Sequence, residues 1–216
     1  RDGQIVTPDG IVRGDLAVVG QEIVSIGKPI DFAKSALFAK CAFVMPGGVD
    51  AHAHIEQMSG MGQLNADTFE TATKSAAMGG TTSVISFAAQ SEGQSLAETV
   101  SDYGARATRG AMIDYAFHIT LTDTNVTNFD ADLAALIAAG HRSLKVFTTY
   151  NIQLNDAELL RVFLLARQNG ALVCVHAEND AIIAQAKAAL IKAGNTTPSD
   201  HARSRPRMAE IEAIER

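Results

Sequence analysis

The chain has 216 residues and a formal net charge of −6, and 47% of its residues are hydrophobic against 19% charged. This is the composition of a globular protein with a sizeable core, and it excludes disordered and fibrous chains. The acidic balance argues against a nucleic-acid partner, because such binding needs clustered Lys and Arg. The run Arg203-Ser204-Arg205-Pro206-Arg207 is too short to supply that cluster. No apolar run approaches membrane-spanning length, so no membrane association is predicted.

The chain start and the cysteines bear on the cellular compartment. No charged leader followed by an apolar segment opens the chain, and Cys41 and Cys174 lie far apart among apolar residues. Two buried thiols in a reducing compartment are therefore expected rather than a disulfide, and the protein is predicted to be cytoplasmic. Because the sequence begins with Arg1 rather than Met, we expect it to be cropped from a longer one.

Residues 1–45 alternate between short β-rich runs and turns. The runs are 5–7, 11–12, 16–19 and 23–26, and glycines separate them, a pattern that indicates hairpins. These strands are too few to close a sandwich alone. Residues 1–45 are therefore predicted to form the N-terminal part of a β-sandwich domain that other chain segments complete.

After Gly47 the pattern changes to a repeated strand, loop and helix. Apolar runs at 48–52, 82–87, 114–119, 143–147 and 172–176 are typical of buried parallel strands. Capping-box spacing at Asp67/Glu70, Ser95/Glu98 and Asn155/Glu158, and helix-ending glycines at Gly79, Gly140 and Gly170, mark helices between them. Five βα units fit either a doubly wound sheet or a TIM barrel. No Gly-rich phosphate turn follows the first strand, which weakens the first alternative.

Four polar residues fall inside this strand pattern. His52 and His54 end the first strand, and because side chains alternate along a strand both imidazoles leave on the same side. Lys145 lies within the fourth strand and His176 ends the fifth. In a barrel the carboxyl ends of the strands converge, so these residues would be neighbours. Burial lowers the pKa of a lysine, and the neutral amine of Lys145 could capture carbon dioxide as a carbamate; the alternative is an ion pair with a carboxylate.

These motifs together resemble the cyclic amidohydrolases, and within them the dihydropyrimidinase and hydantoinase branch. The resemblance is carried by Met45-Pro46-Gly47-Gly48-Val49-Asp50-Ala51-His52-Ala53-His54, Phe69-Glu70-Thr71, Gly79-Gly80-Thr81-Thr82, Ser143-Leu144-Lys145-Val146-Phe147 with Tyr150, and Val175-His176-Ala177-Glu178-Asn179. It implies an α/β fold in which residues 46–216 form the first five βα units of a TIM (β/α)8 barrel of the metal-dependent amidohydrolase type.

The resemblance also implies the chemistry. In this family two zinc ions are bound in each full-length subunit; His52 and His54 would bind one, N6-carboxylated Lys145 would bridge both, and His176 would bind the second. Tyr150 would hydrogen-bond the substrate carbonyl. The expected activity is zinc-dependent ring opening of a small cyclic amide, a dihydropyrimidine or hydantoin, to an N-carbamoyl amino acid, with Tyr150 and Lys145 as catalytic residues. A homo-oligomer, tetramer or dimer, is implied.

Dihydroorotase, allantoinase and a catalytically inactive scaffold are the alternatives to a hydantoinase. Dihydroorotases carry an arginine two residues past the histidine pair, where this chain has Ile55-Glu56, which counts against that activity. Allantoinase is harder to exclude, although the position of Tyr150 favours a hydantoinase. A catalytically inactive scaffold on the same fold is the remaining alternative.

Further residues are candidates for support of the site. Asp50, His118 and Glu178 are candidates to hydrogen-bond metal ligands. The alternatives are solvation at the strand ends for Asp50 and Glu178 and a hydrogen-bonded core histidine for His118. Met58, Met61 and Leu64, in the loop 56–66, are candidates to line a pocket for the ring substituent. In the family three more βα units supply another zinc histidine and an aspartate. We therefore expect residues 1–216 alone to show negligible ring-opening activity.

Overall fold

The computed structural model describes residues 1–59 and 62–216, which divide into two compact units, Arg1–Gly48 and Val49–Arg216. In those described ranges no helix is both long and apolar enough to cross a membrane.

The first unit consists of short strands joined by tight turns. Its strands are β1 (Gly3–Thr7), β2 (Gly10–Gly14), β3 (Leu16–Val19), β4 (Glu22–Ile26) and β5 (Phe43–Val44). β1 pairs antiparallel with β2 and parallel with β5, while β3 and β4 form a separate hairpin. Gly14 must be glycine, because a Cβ there would lie 2.4 Å from the carbonyl oxygen of Gly27. The predicted hairpins are therefore present in this unit.

The two thiols differ from the prediction that both are buried. Both cysteines are free, but Cys41 is exposed and Cys174 is half-buried. The Cys41 sulfur lies 3.6 Å from Oδ2 of Asp2, so its surroundings are polar rather than apolar. The prediction is wrong for Cys41 because this residue lies in an exposed turn beside the Asp2 carboxylate.

The second unit alternates strands and helices. The strands are β6 (Gly48–Ala53), β7 (Thr81–Ala89), β8 (Asp114–Thr120), β9 (Ser143–Phe147) and β10 (Leu172–His176). The helices are α1 (Phe69–Met78), α2 (Leu96–Gly110), α3 (Phe129–Ala138), α4 (Asp156–Asn169), α5 (Asp180–Lys192), α6 (Asp200–Arg203) and α7 (Arg207–Glu215). The strands lie side by side in the order β10-β9-β8-β7-β6, so each is next to its neighbour in sequence. The pairs β7–β8, β8–β9 and β9–β10 are parallel.

The hydrophobic core lies between this sheet and the helices on its outer face. Side chains with no more than 1% exposure form its centre: Phe69, Leu96, Ile119, Leu121, Phe129, Leu133, Ile137, Leu144, Val146 and Val162. On β9, Leu144 and Val146 point into this core, so by alternation Lys145 points to the opposite face of the sheet. The face opposite the core is therefore where polar side chains from several strands can meet.

Two of the three predicted capping boxes are present. The Ser95 and Asn155 side chains accept from the backbone of Glu98 and Glu158, and each glutamate side chain accepts from the backbone of its partner. At α1 the predicted Asp67/Glu70 pair is wrong by one residue. Thr68 is the N-cap, and its partner is Thr71, whose hydroxyl accepts from the Thr68 amide.

The ends of the helices follow the predicted glycines. Gly170 ends α4 with φ of 72°, and Gly140 follows α3 with φ of 110°. Gly79 ends α1 as predicted but has φ of −85°, and the expected positive φ falls on its neighbour Gly80, with φ of 88°. Two adjacent glycines leave this choice open in the sequence.

The Asn155 cap generates a stability prediction. Asn155 Oδ1 accepts from the amides of Ala157 and Glu158 at 3.0 and 3.1 Å. Asn155→Ala should lower the free energy of unfolding by about 1 kcal/mol, because both amides lose their acceptor. Asn155→Asp keeps the acceptor and serves as the control. Chemical denaturation measures the difference; equal stability of the Ala and Asp variants would contradict the assigned cap.

Candidate metal and substrate site

The histidine pair lies at the carboxyl end of β6 and packs against β7. The rings of His52 and His54 are 5.3 Å apart between centroids, at 69° to each other. Phe87 lies against both, at 4.7 Å from His52 and 4.6 Å from His54. The two imidazoles therefore leave the strand together, and one apolar ring supports both.

A glutamine fixes the tautomer of His54. His54 Nδ1 is 2.7 Å from Oε1 of Gln57, whose Nε2 donates to the backbone carbonyl of Phe87. An amide oxygen only accepts, so Nδ1 of His54 carries the hydrogen and Nε2 of the neutral ring keeps its lone pair. Sequence reasoning missed Gln57, because nothing in the loop composition distinguishes it from the neighbouring polar residues.

The surroundings of His52 lower its pKa and so favour the neutral form. Burial lowers the pKa of the His52 ring, and the neighbouring His54, Lys145 and His118 lower it further in smaller steps. Its backbone amide donates to Asp50 Oδ1 at 3.0 Å. Neutral imidazole is the form that ligates a metal.

Lys145 is a buried amine on the same face of the sheet. It is only 8% exposed, and its Nζ lies 4.9 Å from the centroid of the Phe147 ring. Within residues 1–59 and 62–216 no carboxylate lies within ion-pair distance of it. Burial lowers the pKa of the Lys145 amine, and the facing thiol of Cys174 opposes this shift less strongly. The neutral amine is therefore accessible, and the ion-pair alternative has no support among the described residues.

His176 at the end of β10 has a defined tautomer as well. Its Nε2 lies 2.5 Å from Oε2 of Glu178, and its ring stacks on Phe147 with centroids 5.5 Å apart. A carboxylate only accepts from it, so Nε2 carries a hydrogen and Nδ1 of the neutral ring keeps its lone pair. Glu178 is thus hydrogen-bonded to the ring of a candidate ligand.

Tyr150 follows β9 in the left-handed conformation, with φ of 68°. Its ring is 5.3 Å from that of His176 and 6.1 Å from that of Phe147. It borders a cavity of about 600 Å³ at the carboxyl ends of β6 to β9, which Met58 and Gln57 also line. His52 and Lys145 line a different cavity, together with His118 and Cys174. Phe87, which packs against both His52 and His54, lines both cavities.

The remaining candidates occupy different positions around this space. Leu64 forms an isolated β-bridge with Met58 and is exposed, and Met61 lies outside the described residues. His118 is buried and bonds backbone and hydroxyl groups: its Nε2 donates to the carbonyl of Ala51 at 2.9 Å, and its Nδ1 is 2.6 Å from Oγ of Ser143. His118 thus ties β8 to both β6 and β9.

The donor set fits a metal centre only in part. Among the residues that the structure describes, no group of three or more His, Cys, Asp or Glu is close enough to hold a metal. What the chain offers is imidazole: when neutral, His54 and His176 would each present a lone pair, and the pKa of His52 is lowered. Beside them lies a buried lysine that has no ionic partner among the described residues. These groups fit zinc, which prefers imidazole and anionic oxygen, if Lys145 becomes anionic.

The family of the chain follows from comparison with known proteins. The model of the amidohydrolase family matches residues 43–214. The chain belongs to the amidohydrolase family.

Named relatives of this amidohydrolase are hydantoinases and dihydropyrimidinases. A D-hydantoinase of Ralstonia pickettii is 39% identical over 218 residues, covering 100% of this chain and 47% of the relative. Solved structures of a D-hydantoinase (dihydropyrimidinase) from Thermus sp. and a dihydropyrimidinase from Brevibacillus agri match with TM-scores of 0.88 and 0.86 at 28% and 34% identity, each covering 99% of this chain and 47% of theirs. The chain thus spans about half the length of the curated relatives it matches. The predicted partial TIM barrel and the predicted branch are confirmed.

Gln57 generates a prediction about the amidohydrolase site. In Gln57→Leu the acceptor for Nδ1–H of His54 is lost, so the ring should become a mixture of both neutral tautomers. Nitrogen chemical shifts of selectively labelled histidine in metal-free protein measure this. Gln63→Leu changes an exposed residue of the same loop and should leave His54 unaffected. An unchanged His54 spectrum in Gln57→Leu would contradict the assigned hydrogen bond.

Proposed function

We propose that the protein to which this chain belongs hydrolyses cyclic amides, opening a hydantoin or dihydropyrimidine ring to an N-carbamoyl amino acid. The observation that carries this proposal is Lys145, a buried amine on the sheet face that also presents His52, with no ionic partner in the part of the chain that the structure describes. A lysine so placed needs a chemical reason, since a buried ammonium is costly. Similarity to D-hydantoinases over the whole chain supports the same activity.

We propose that this site holds two zinc ions. His52 and His54 would hold one, His176 would contribute to the second, and N6-carboxylated Lys145 would contribute to both. Further ligands would come from parts of the protein that correspond to the other half of the relatives. Bound zinc supplies a nucleophile at neutral pH and polarises the amide carbonyl.

Carboxylation of Lys145 follows from its environment. The neutral Nζ attacks the carbon of carbon dioxide and loses a proton, which converts the amine into an anionic group with two oxygen donors. The lowered pKa of the amine favours this reaction because only the neutral form has a lone pair to donate. The same change removes the cost of a buried ammonium near two imidazoles.

Tyr150 and the loop after β6 would act on the substrate. The Tyr150 phenol would donate a hydrogen bond to the carbonyl oxygen as negative charge develops on it, a type of interaction whose loss typically costs about 10²–10³ in kcat. Met58, Met61 and Leu64 would contact the substituent on the ring. Of these, Met58 lines the cavity that Tyr150 borders.

The wider organisation is proposed on the family resemblance. Residues 1–45 would be part of a β-sandwich and residues 46–216 the first half of the barrel, in a cytoplasmic homo-oligomer, tetramer or dimer. Sedimentation analysis of the purified protein tests the oligomer; a monomer at working concentration would rule it out.

Lys145 gives the sharpest test of the metal site. Lys145→Ala should remove most of the bound zinc and the hydantoin-hydrolysing activity, and short carboxylic acids added to the variant should partly restore both, because they replace the anionic ligand. Lys74→Ala changes an exposed helix residue and is the matched control. Metal analysis and turnover are measured on each variant. Two zinc ions retained per chain in Lys145→Ala would contradict the carbamate, and a metal-free, inactive wild type would favour an inactive scaffold.

The loop after β6 gives a test of substrate choice. Replacing Met58, Met61 and Leu64 together by Ala should change the relative kcat/KM for small and bulky 5-substituted hydantoins by about tenfold, since each lost apolar contact affects only the substituent. Zinc content should stay unchanged. A uniform loss on all substrates would argue against a pocket role, and relative rates on allantoin would distinguish the allantoinase alternative.

A further inference from the structure

Arg205, in the short basic run at residues 203–207, contacts two residues of the candidate site. We propose that Arg205 is a positioning residue: it holds His176 through Glu178, and it holds the Tyr150 ring by stacking on it. The inference rests on the proposed function and deepens it, because it assigns one side chain the task of aligning a metal ligand with the group that contacts substrate.

The first contact of Arg205 is an ion pair. Its Nη1 donates to Oε2 of Glu178, the same oxygen that accepts from Nε2 of His176. The Arg205 and Glu178 side chains are 22% and 16% exposed, so water screens this pair only in part. A carboxylate held in this way cannot rotate away from the histidine, and the Nε2–H tautomer of His176 is fixed through it.

The second contact of Arg205 is with the ring of Tyr150. The guanidinium carbon lies 4.9 Å from the ring centroid, within the range of a cation–π interaction. Within residues 1–59 and 62–216 the Tyr150 hydroxyl makes no hydrogen bond to a protein group. Among the described residues, ring contacts with Arg205, His176 and Phe147 help to orient the phenol.

The backbone that carries Arg205 is itself fixed to the end of β10. The amide of Asn179 donates to the carbonyl of Ala209 in α7, and its side-chain Nδ2 donates to Oε2 of Glu212. On the other side, the amide of Arg205 donates to the carbonyl of Ala202 in α6. The guanidinium therefore has a defined place relative to the strand end that carries His176.

The neighbouring arginine of the run behaves differently. Arg203 pairs with Asp200 one turn away in α6, and its side chain is 59% exposed. It contacts neither Glu178 nor Tyr150 among the described residues. Arg203 is therefore an arginine of the same short run, two residues from Arg205, that does not contact the site. It serves as the matched control.

The test compares Arg205→Gln with Arg203→Gln in the purified protein. We expect Arg205→Gln to lower kcat for hydantoin about tenfold or more with KM changed less than about twofold, a size typical of residues that orient metal ligands. In metal-free protein, nitrogen shifts of labelled His176 should change from one tautomer to a mixture. Arg203→Gln should match the wild type in all three readouts.

Arg205→Lys separates the two contacts. A lysine keeps the charge beside Glu178 but cannot stack flat on the ring, so the His176 tautomer should survive while kcat still falls. If Arg205→Gln fails to fold, as judged by circular dichroism, Arg205→Lys and Glu178→Gln carry the same test. Glu178→Gln should alter the His176 tautomer and leave the Tyr150 contact.

The outcomes separate the inference from the proposed function. Folded Arg205→Gln with kcat, KM and His176 shifts equal to those of Arg203→Gln overturns the role of Arg205. A wild type that hydrolyses no cyclic amide overturns the proposed function alone, because the His176 spectrum of the metal-free protein still reports whether Arg205 fixes that ring.

Discussion

The alternation of side chains along β9 governs both the core and the site. Leu144 and Val146 are fully buried beneath the helices, which together cover the outer face of the sheet. Since neighbouring side chains on a strand point to opposite faces, Lys145 lies on the other face of the sheet, beside the imidazoles. A shift of one residue in the register of this strand would bury the Lys145 amine under the helices. It would also move the Leu144 and Val146 side chains to the face of the candidate site. The core packing and the chemistry are therefore fixed by the same register.

The sequence predicted the elements of the second unit well because their signals are local and redundant. The bounds of β9 and β10 agree with the predicted 143–147 and 172–176, since each is a short, mainly apolar run. The errors came where two neighbouring residues compete for one role. At α1 both Asp67 and Thr68 can cap a helix, and the outcome depends on the Thr71 hydroxyl, which bonds to both. Spacing alone carries no information on that competition.

The residues of the candidate site also differ in whether the local sequence identifies them. His52, His54, His176 and Tyr150 stand at or just past strand ends and Lys145 lies within a strand. All of them belong to recognisable motifs, so the sequence suffices to propose them. Gln57 and Arg205 have no motif of their own, and their importance arises from folding: Arg205 reaches a tyrosine 55 positions earlier in the chain, on the numbering of the sequence. Residues that orient a site from a distant segment are visible only once the helices are in place. This is why Gln57 and Arg205 were not predicted, whereas Glu178, which lies within a motif next to His176, was.

The left-handed backbone of Tyr150 has a consequence for attempts to engineer this protein. A bulky residue at φ of 68° costs about 1–3 kcal/mol relative to glycine, and asparagine also tolerates this region. A directed-evolution screen that rewards heat resistance alone would therefore select glycine or asparagine at this position and discard the phenol. Stabilised variants would accumulate with an intact fold but without the phenol. Any such library needs position 150 held constant or an activity filter applied in every round.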